Sequence, residues 1–194
     1  MVLFLTVLGL LIGILLPTFR VYLFSRSRLD VRQSAIQSLH RLCTEIQNTV
    51  PESITLCQAP APGVPVALSL VELEDFSVTG TFRWHNGFEL FYFDKTQEKL
   101  LWKRIRPSGY DFTQPAPPAL LPADLTTQLT ATPLEQRVVA LYVHKVTIEH
   151  DSPSSFPLKI GIDSRIEESS DPARRGKTEI FHLEAQVAPR SKRW

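Results

Sequence analysis

From Met1 to Phe19 the chain carries no charge, and Leu, Val, Ile and Phe fill most positions. At about 1.5 Å of rise per residue such a run covers a hydrocarbon core of roughly 30 Å. Residues 1–24 therefore read as a transmembrane helix segment. Gly9, Gly13 and Pro17 fall four residues apart on one face of it. The apolar run does not end in a turn: residues 25–50 contain neither Gly nor Pro. Within them Leu29, Ile36, Leu39, Cys43, Ile46 and Val50 recur mostly at three- and four-residue steps, with Arg32, Gln33, Gln37, Arg41 and Gln47 off the stripe. That is the pattern of an amphipathic helix seated on a core, and Pro51 stops it. The first ~48 residues form one nearly continuous helix on the order of 70 Å long, several times the usual length.

After Pro51 the pattern changes to short β-rich runs: residues 53–57, 66–71, 76–84, 88–93, 100–105, 138–148, 158–166 and 180–187. Turn chemistry separates them, at residues 59–65, 85–87 and 107–109. Asn86-Gly87, between two aromatic-rich runs, is the strongest hairpin signal. Residues 113–122, rich in Pro, and 167–177, rich in charge, read as surface loops. The fold class expected is α+β: a long N-terminal helix, transmembrane over 1–24 and amphipathic over 25–50, packed on an antiparallel sheet formed by a β-rich globular domain at 51–194.

Lys and Arg number 21 against 20 Asp and Glu in 194 residues. This balance argues against a nucleic-acid partner, which calls for a basic excess. About 165 residues beyond the anchor suit one domain with a respectable core. Two cysteines, Cys43 and Cys57, match no metal spacing. An extracytoplasmic compartment allows them to form a disulfide; the alternative is that Cys43 is a small apolar residue on the helix face. The apolar segment lacks a basic leader and an Ala-x-Ala-like site, and is too long for a cleaved signal. With Arg20, Arg26, Arg28 and Arg32 flanking its C-terminal side, the positive-inside rule taken literally places the domain in the cytoplasm.

No catalytic signature emerges. His40, His85, His144, His150 and His182 include no pair at His-Glu-x-x-His spacing, and no Gly-x-Ser-x-Gly elbow or phosphate-binding glycine loop is found. His144 and His150 approach His182 only if their strands pair; surface histidines are the plainer account. Glu72, Glu74 and Asp75, or Glu167, Glu168 and Asp171, offer hard oxygens to a cation, but solvated loop charges explain them better. The aromatic runs 82–84 and 88–93 alternate like sheet residues and read as core. The basic end, residues 190–194, reads as a frayed tail. The sequence thus points to no enzyme, cofactor or metal.

The segment Leu8-Gly-Leu-Leu-Ile-Gly-Ile-Leu-Leu-Pro-Thr-Phe19 resembles the N-terminal helix of type IV pilin-like proteins. These build pili and the pseudopilus of type II secretion, and Gly9 and Pro17 keep that family's glycine-to-proline spacing. The remainder is similar, by element order, to the larger, J-like minor pseudopilins. There a strand like Lys99-Leu-Leu-Trp-Lys-Arg104 follows a tyrosine-rich strand, and a run like Val143-His-Lys-Val146 opens the closing sheet. The resemblance implies a membrane-anchored structural subunit whose N-terminal helix bundles with those of other pilin-like subunits in a filament. Its partners are then those subunits, inner-membrane assembly machinery and the lipid bilayer, with no nucleic acid. Its place is the inner membrane, single-pass, with the globular domain extracytoplasmic. In such a bundle Gly9 and Gly13 let helices approach closely, and Pro17 loosens the hydrogen-bond ladder to ease extraction from the bilayer. Gly and Pro are also commoner in membrane helices generally.

The family's Gly-Phe-Thr-Leu-Ile-Glu processing segment is absent. Alignment on Gly9 and Pro17 places Met1 just after the family's glutamate. The expectation is that translation starts upstream, with a basic leader that supplies the cytoplasmic positive charge. Sequencing the DNA before Met1 checks this: Gly-Phe-Thr-Leu-Ile-Glu-like codons in frame are expected, and an in-frame stop in their place sinks it. The rival reading is a single-pass anchored extracytoplasmic binding domain unrelated to pili. Neighbouring genes for an assembly ATPase or a prepilin peptidase favour the first reading. So does one unbroken helix reaching about Thr49, whereas a break near residues 25–28 favours the second.

Overall fold

One helix, α1, runs unbroken from Val2 to Gln47, through residues 25–28 and through Pro17. The computed structural model describes residues 2–57, 66–76, 82–114, 116–149, 156–167 and 178–189. The turn residues 59–65, most of the charged loop 167–177 and the tail 190–194 lie outside the described residues. Beyond α1 come a 3₁₀ turn at Pro51–Ser53, then β1 (Thr55–Cys57), β2 (Ala67–Leu70), β3 (Leu73–Phe76), β4 (Phe82–Trp84), β5 (Phe88–Asp94) and β6 (Lys99–Ile105). A short helix α2 (Pro122–Gln128) follows, then β7 (Glu135–Leu141), β8 (Val143–Glu149), β9 (Leu158–Glu167) and β10 (Thr178–Val187). The fold is α+β, with all strand pairs antiparallel.

The strands form a five-stranded sheet in the order β1-β2-β5-β6-β7, a three-stranded sheet β10-β9-β8, and the small pair β3-β4. The chain passes from the first sheet to the second at Tyr142, between β7 and β8. Tyr142 has a positive φ of 59°, and Glu98 across the corner one of 50°. Val143 N–H donates to Glu98 O and Arg165 N–H to Tyr142 O, both at 2.9 Å, which fixes the corner. One sequence run, 138–148, thus becomes two strands in two sheets.

The core has two parts because the five-stranded sheet is covered on both faces. Toward α1 lie Leu39, Leu42 and Ile46 with Leu68, Leu70, Phe91, Phe93, Leu100 and Trp102, continued by Val146, Ile160 and Ile162 of the second sheet. On the far face lie Val50, Val71, Trp84, Phe88, Leu90, Ile105, Phe112, Leu120 and Leu125. Strand β5 shows the consequence: Phe91 and Phe93 serve one face and Phe88 and Leu90 the other. Its run is therefore apolar without clean alternation. The aromatic runs do supply core residues, Trp84, Phe88, Phe91 and Phe93 among them, but by burial of both faces of β5 and not by alternation. On the far face the buried Lys103 ammonium donates to Gln128 O, Leu129 O and Ala131 O at 2.7, 2.7 and 3.2 Å, capping the C-terminal end of α2. Burial pushes its pKa down.

Three expectations need correction. Asn86-Gly87 is not a hairpin: β4 pairs with β3, and β5 pairs with β2 and β6. Gly87 serves a close approach instead, since a Cβ there would lie 2.8 Å from Ile105 O. The β5–β6 hairpin turns at residues 95–98, where Asp94 Oδ1 accepts from Thr96 N–H and Gln97 N–H at 2.9 and 3.1 Å. The Pro-rich loop ends in α2, whose Pro122 occupies the first turn, the favoured place for proline in a helix. The buried face of α1 is Val31, Ala35, Ser38, Leu39, Leu42 and Ile46, whereas Leu29 and Ile36 stay exposed. The seat lies on a neighbouring stripe because Ser38 and Ala35 are small enough to meet the sheet closely: Ser38 Oγ is 2.7 Å from Val139 O.

Ile46 is fully buried where α1 meets the sheet. Ile46→Ala is expected to destabilise the full chain by about 2–5 kcal/mol through the cavity it leaves, measured by urea unfolding in detergent micelles. Ile36→Ala, on the open side of the same helix, is expected to change stability by no more than about 0.5 kcal/mol.

Candidate functional site: an uncovered helix and the charge cluster beneath it

Among the described residues, the side chains of the N-terminal half of α1 are exposed up to Leu23. Phe4, Leu10, Ile14, Phe19 and Val21 are each exposed by 60% or more, and the helix is long and apolar enough to span a membrane. The absence of charge before Arg20 is thus matched by exposed apolar side chains among the described residues, the surface a lipid or another apolar helix covers. A Cβ added at Gly9 or Gly13 would meet nothing within 4 Å. These glycines do not serve the fold of the monomer; they leave a shallow strip open. Pro17 removes the N–H that would bond to Gly13 O. At the next residue, Thr18 Oγ1 donates to Ile14 O at 2.8 Å. Gly9, Gly13 and Pro17 therefore share an open helix face.

The uncovered apolar surface does not stop where the membrane-length segment stops. Leu8, Leu15, Tyr22, Leu29 and Ile36, each seven residues after the last, are exposed by 42%, 57%, 59%, 63% and 53%. Seven residues nearly complete two turns, so these side chains form a line that drifts by about 20° per step. Beside this line the helix is tied to β10: Arg28 meets Glu179 at 2.6 Å and Arg32 meets it at 3.3 Å. Arg32 also lies over the Phe181 ring. Arg28 and Arg32 thus act in docking the helix, not only in flanking a membrane.

Beneath the last turns of α1 lies a charge cluster that no sequence motif announced. Glu45 of α1, Glu72 after β2 and Glu89 of β5 each place a carboxylate oxygen within 4.8 Å of the others. Glu89 is 1% exposed. Its Oε1 accepts from Arg104 at 2.5 Å and its Oε2 from the Trp102 indole N–H at 3.0 Å. Arg104 also stands 3.9 Å from Glu72, and Arg41 stands 3.7 Å from Glu45. The Trp102 ring is flanked by the guanidiniums of Arg41, Arg104 and Arg137, at 5.3, 5.5 and 5.4 Å from its centroid, within cation–π range. Burial, then Glu89 and Glu72, push the Glu45 carboxyl up to about 7; burial, then Glu89, push Glu72 up. As a cation ligand set the trio is encumbered, because both Glu89 oxygens already accept charged or indole donors. Sequence spacing grouped Glu72 with Glu74 and Asp75; the fold instead sends Glu74 to Arg83 at 3.1 Å and Glu72 to this cluster.

The other candidates separate. Cys43 and Cys57 carry free thiols. Cys43 packs at the helix-side core and Cys57 in the far-face core, so the bridge that composition allowed is not made. His144 and His182 lie on β8 and β10 with β9 between them. His182 Nδ1 instead faces Asp163 Oδ1 at 2.5 Å on the exposed surface. That contact raises its pKa. His150, Glu168, Asp171 and the Glu167 side chain lie outside what is described.

Glu89→Ala takes the hydrogen-bonded carboxylate from the half-buried Arg104 guanidinium and from the Trp102 indole N–H. A loss of about 1–3 kcal/mol is expected, with Glu89→Gln losing less, read by urea unfolding of the full chain. Compared with known proteins, the chain matches no family model, no curated protein and no solved structure.

Proposed function

We propose that this chain is a membrane-anchored, pilin-like structural subunit, of the minor pseudopilin kind, which assembles through its N-terminal helix into a type IV pilus or a type II secretion pseudopilus. The observation that carries the reading is the exposed apolar line of α1 continuing past the membrane-length segment to Leu29 and Ile36. A lipid anchor accounts for Leu8 and Leu15. It does not account for aliphatic side chains on the open side of a helix whose other side is docked on a water-facing domain. A neighbouring subunit's helix accounts for both, and the open strip at Gly9 and Gly13 lets its backbone come close. The long unbroken helix seated on an antiparallel sheet also supports the reading, as does the Gly9-to-Pro17 spacing. On this reading the chain sits in the inner membrane with its globular domain outside the cytoplasm. Its partners are other pilin-like subunits and the assembly machinery, and its role is mechanical, without a catalytic residue.

The test is cross-linking of the full chain in its native membrane. Wild type is expected to cross-link to other chains that carry an apolar N-terminal helix. The double variant Leu29→Lys, Ile36→Lys should keep its membrane insertion and fold. It forfeits about 3 kcal/mol or more of apolar burial between subunits, over a hundredfold in association. Cross-links unchanged in the variant, or a wild-type chain that is recovered alone, overturn the proposal.

A further inference from the structure

We propose that the junction between α1 and the sheet is a proton-operated latch, in which one proton held on Glu45 completes the charge balance of the cluster and its loss loosens the last turns of the helix from the sheet. This inference stands apart from the assembly function above. Three carboxylates meet here, from Glu45, Glu72 and Glu89, and two guanidiniums, Arg41 and Arg104, reach them. Glu89 is satisfied by Arg104 and Trp102, which leaves Glu45 and Glu72 to share what remains.

Geometry assigns the proton. The Oε2 atom of Glu45 is buried and has no hydrogen-bond partner. An ionised oxygen in that position loses its water without gaining a donor, whereas a neutral carboxyl group loses far less. The groups facing Glu45 from each element are Arg41 on its own helix, Glu72 from the β2–β3 connection, Glu89 of β5 and Arg104 of β6. His85, after β4, stands 3.6 Å from Glu72 Oε2, on the side of Glu72 and not of Glu45. Glu135 of β7 pairs with Arg137. Arg104 faces Glu45 but is paired with Glu89 and Glu72, so Arg41 is the one cation in an ion pair with Glu45 among the described residues.

Position gives the proton its leverage. Glu45 lies between Leu42 and Ile46, both fully buried in the seat of α1, so repulsion at Glu45 acts on the contact that holds helix to sheet. The carboxyl is raised from 4.5 to about 7 by burial, then by Glu89 and Glu72. Between those values the folded chain holds a proton that the unfolded chain has released. The contribution of Glu45 to stability is therefore full below about 4.5, falls as pH rises toward 7, and is flat above.

The experiment uses the full chain in detergent micelles, with infrared difference spectra and urea unfolding between pH 5 and pH 8. Wild type is expected to show a protonated-carboxyl stretch that titrates near neutrality and is missing from Glu45→Gln. Across that range the folding constant of wild type should fall at least about tenfold further than that of Glu45→Gln, with the variant the more stable of the two at pH 8. Glu72→Gln, which removes one facing charge, should move the titration to lower pH. A spectrum without the band, parallel pH dependences in wild type and Glu45→Gln, or a midpoint unmoved by Glu72→Gln would each overturn the latch.

Discussion

Everything else in this molecule depends on how the C-terminal half of α1 is seated. Leu39, Leu42 and Ile46 press into a core formed by strands of both sheets. Burying three such side chains is worth on the order of 5–9 kcal/mol, an upper estimate because the unfolded chain buries part of the same surface. That seat gives a 46-residue helix one fixed end. It also joins the two sheets, since the same cluster holds Phe91 and Trp102 of the first and Ile160 and Ile162 of the second. The chain turns from one sheet to the other at Tyr142, and the helix lies across both.

The seat is not purely apolar, and its polar part carries the specificity. Ser38 brings the helix backbone close to β7, Arg28 and Arg32 hold it to β10, and Arg41 and Glu45 reach into the cluster around Trp102. Apolar contacts alone permit a helix to rotate or slide by a turn at modest cost. Directional contacts at three levels along α1 do not. With that rotation fixed, the side turned away from the sheet is fixed too, and it is the side that carries Leu29 and Ile36. The exposed line thus follows from how the helix is seated.

Much of the fold was legible in the chain. The long helix, its lack of a break and its stop before Pro51 follow from local composition, and the core strands from apolar, aromatic-rich runs. The failures have one cause: local signals were read without knowing what covers each face. The stripe through Leu29 and Ile36 and the buried one through Val31, Ala35 and Leu42 both have helical period, and hydrophobicity alone favours the larger side chains. Asn86-Gly87 has turn chemistry, but β5 finds better partners in β2 and β6 than in β4. The run 138–148 holds no breaker, because a single positive φ at Tyr142 makes the corner.

The candidate site divides the same way. Sequence by itself determined the membrane-length helix and the Gly9, Gly13 and Pro17 face, since period, charge and residue size are properties of neighbours along the chain. Only the tertiary structure decided that Glu45, Glu72 and Glu89 meet, that Cys43 and Cys57 stay apart, and that Leu29 and Ile36 remain uncovered. Side chains 27 and 17 residues apart share one environment because a helix end, a strand and the connection beside them converge there. Electrostatic coupling depends on distance in space and on burial, and neither is written in sequence spacing.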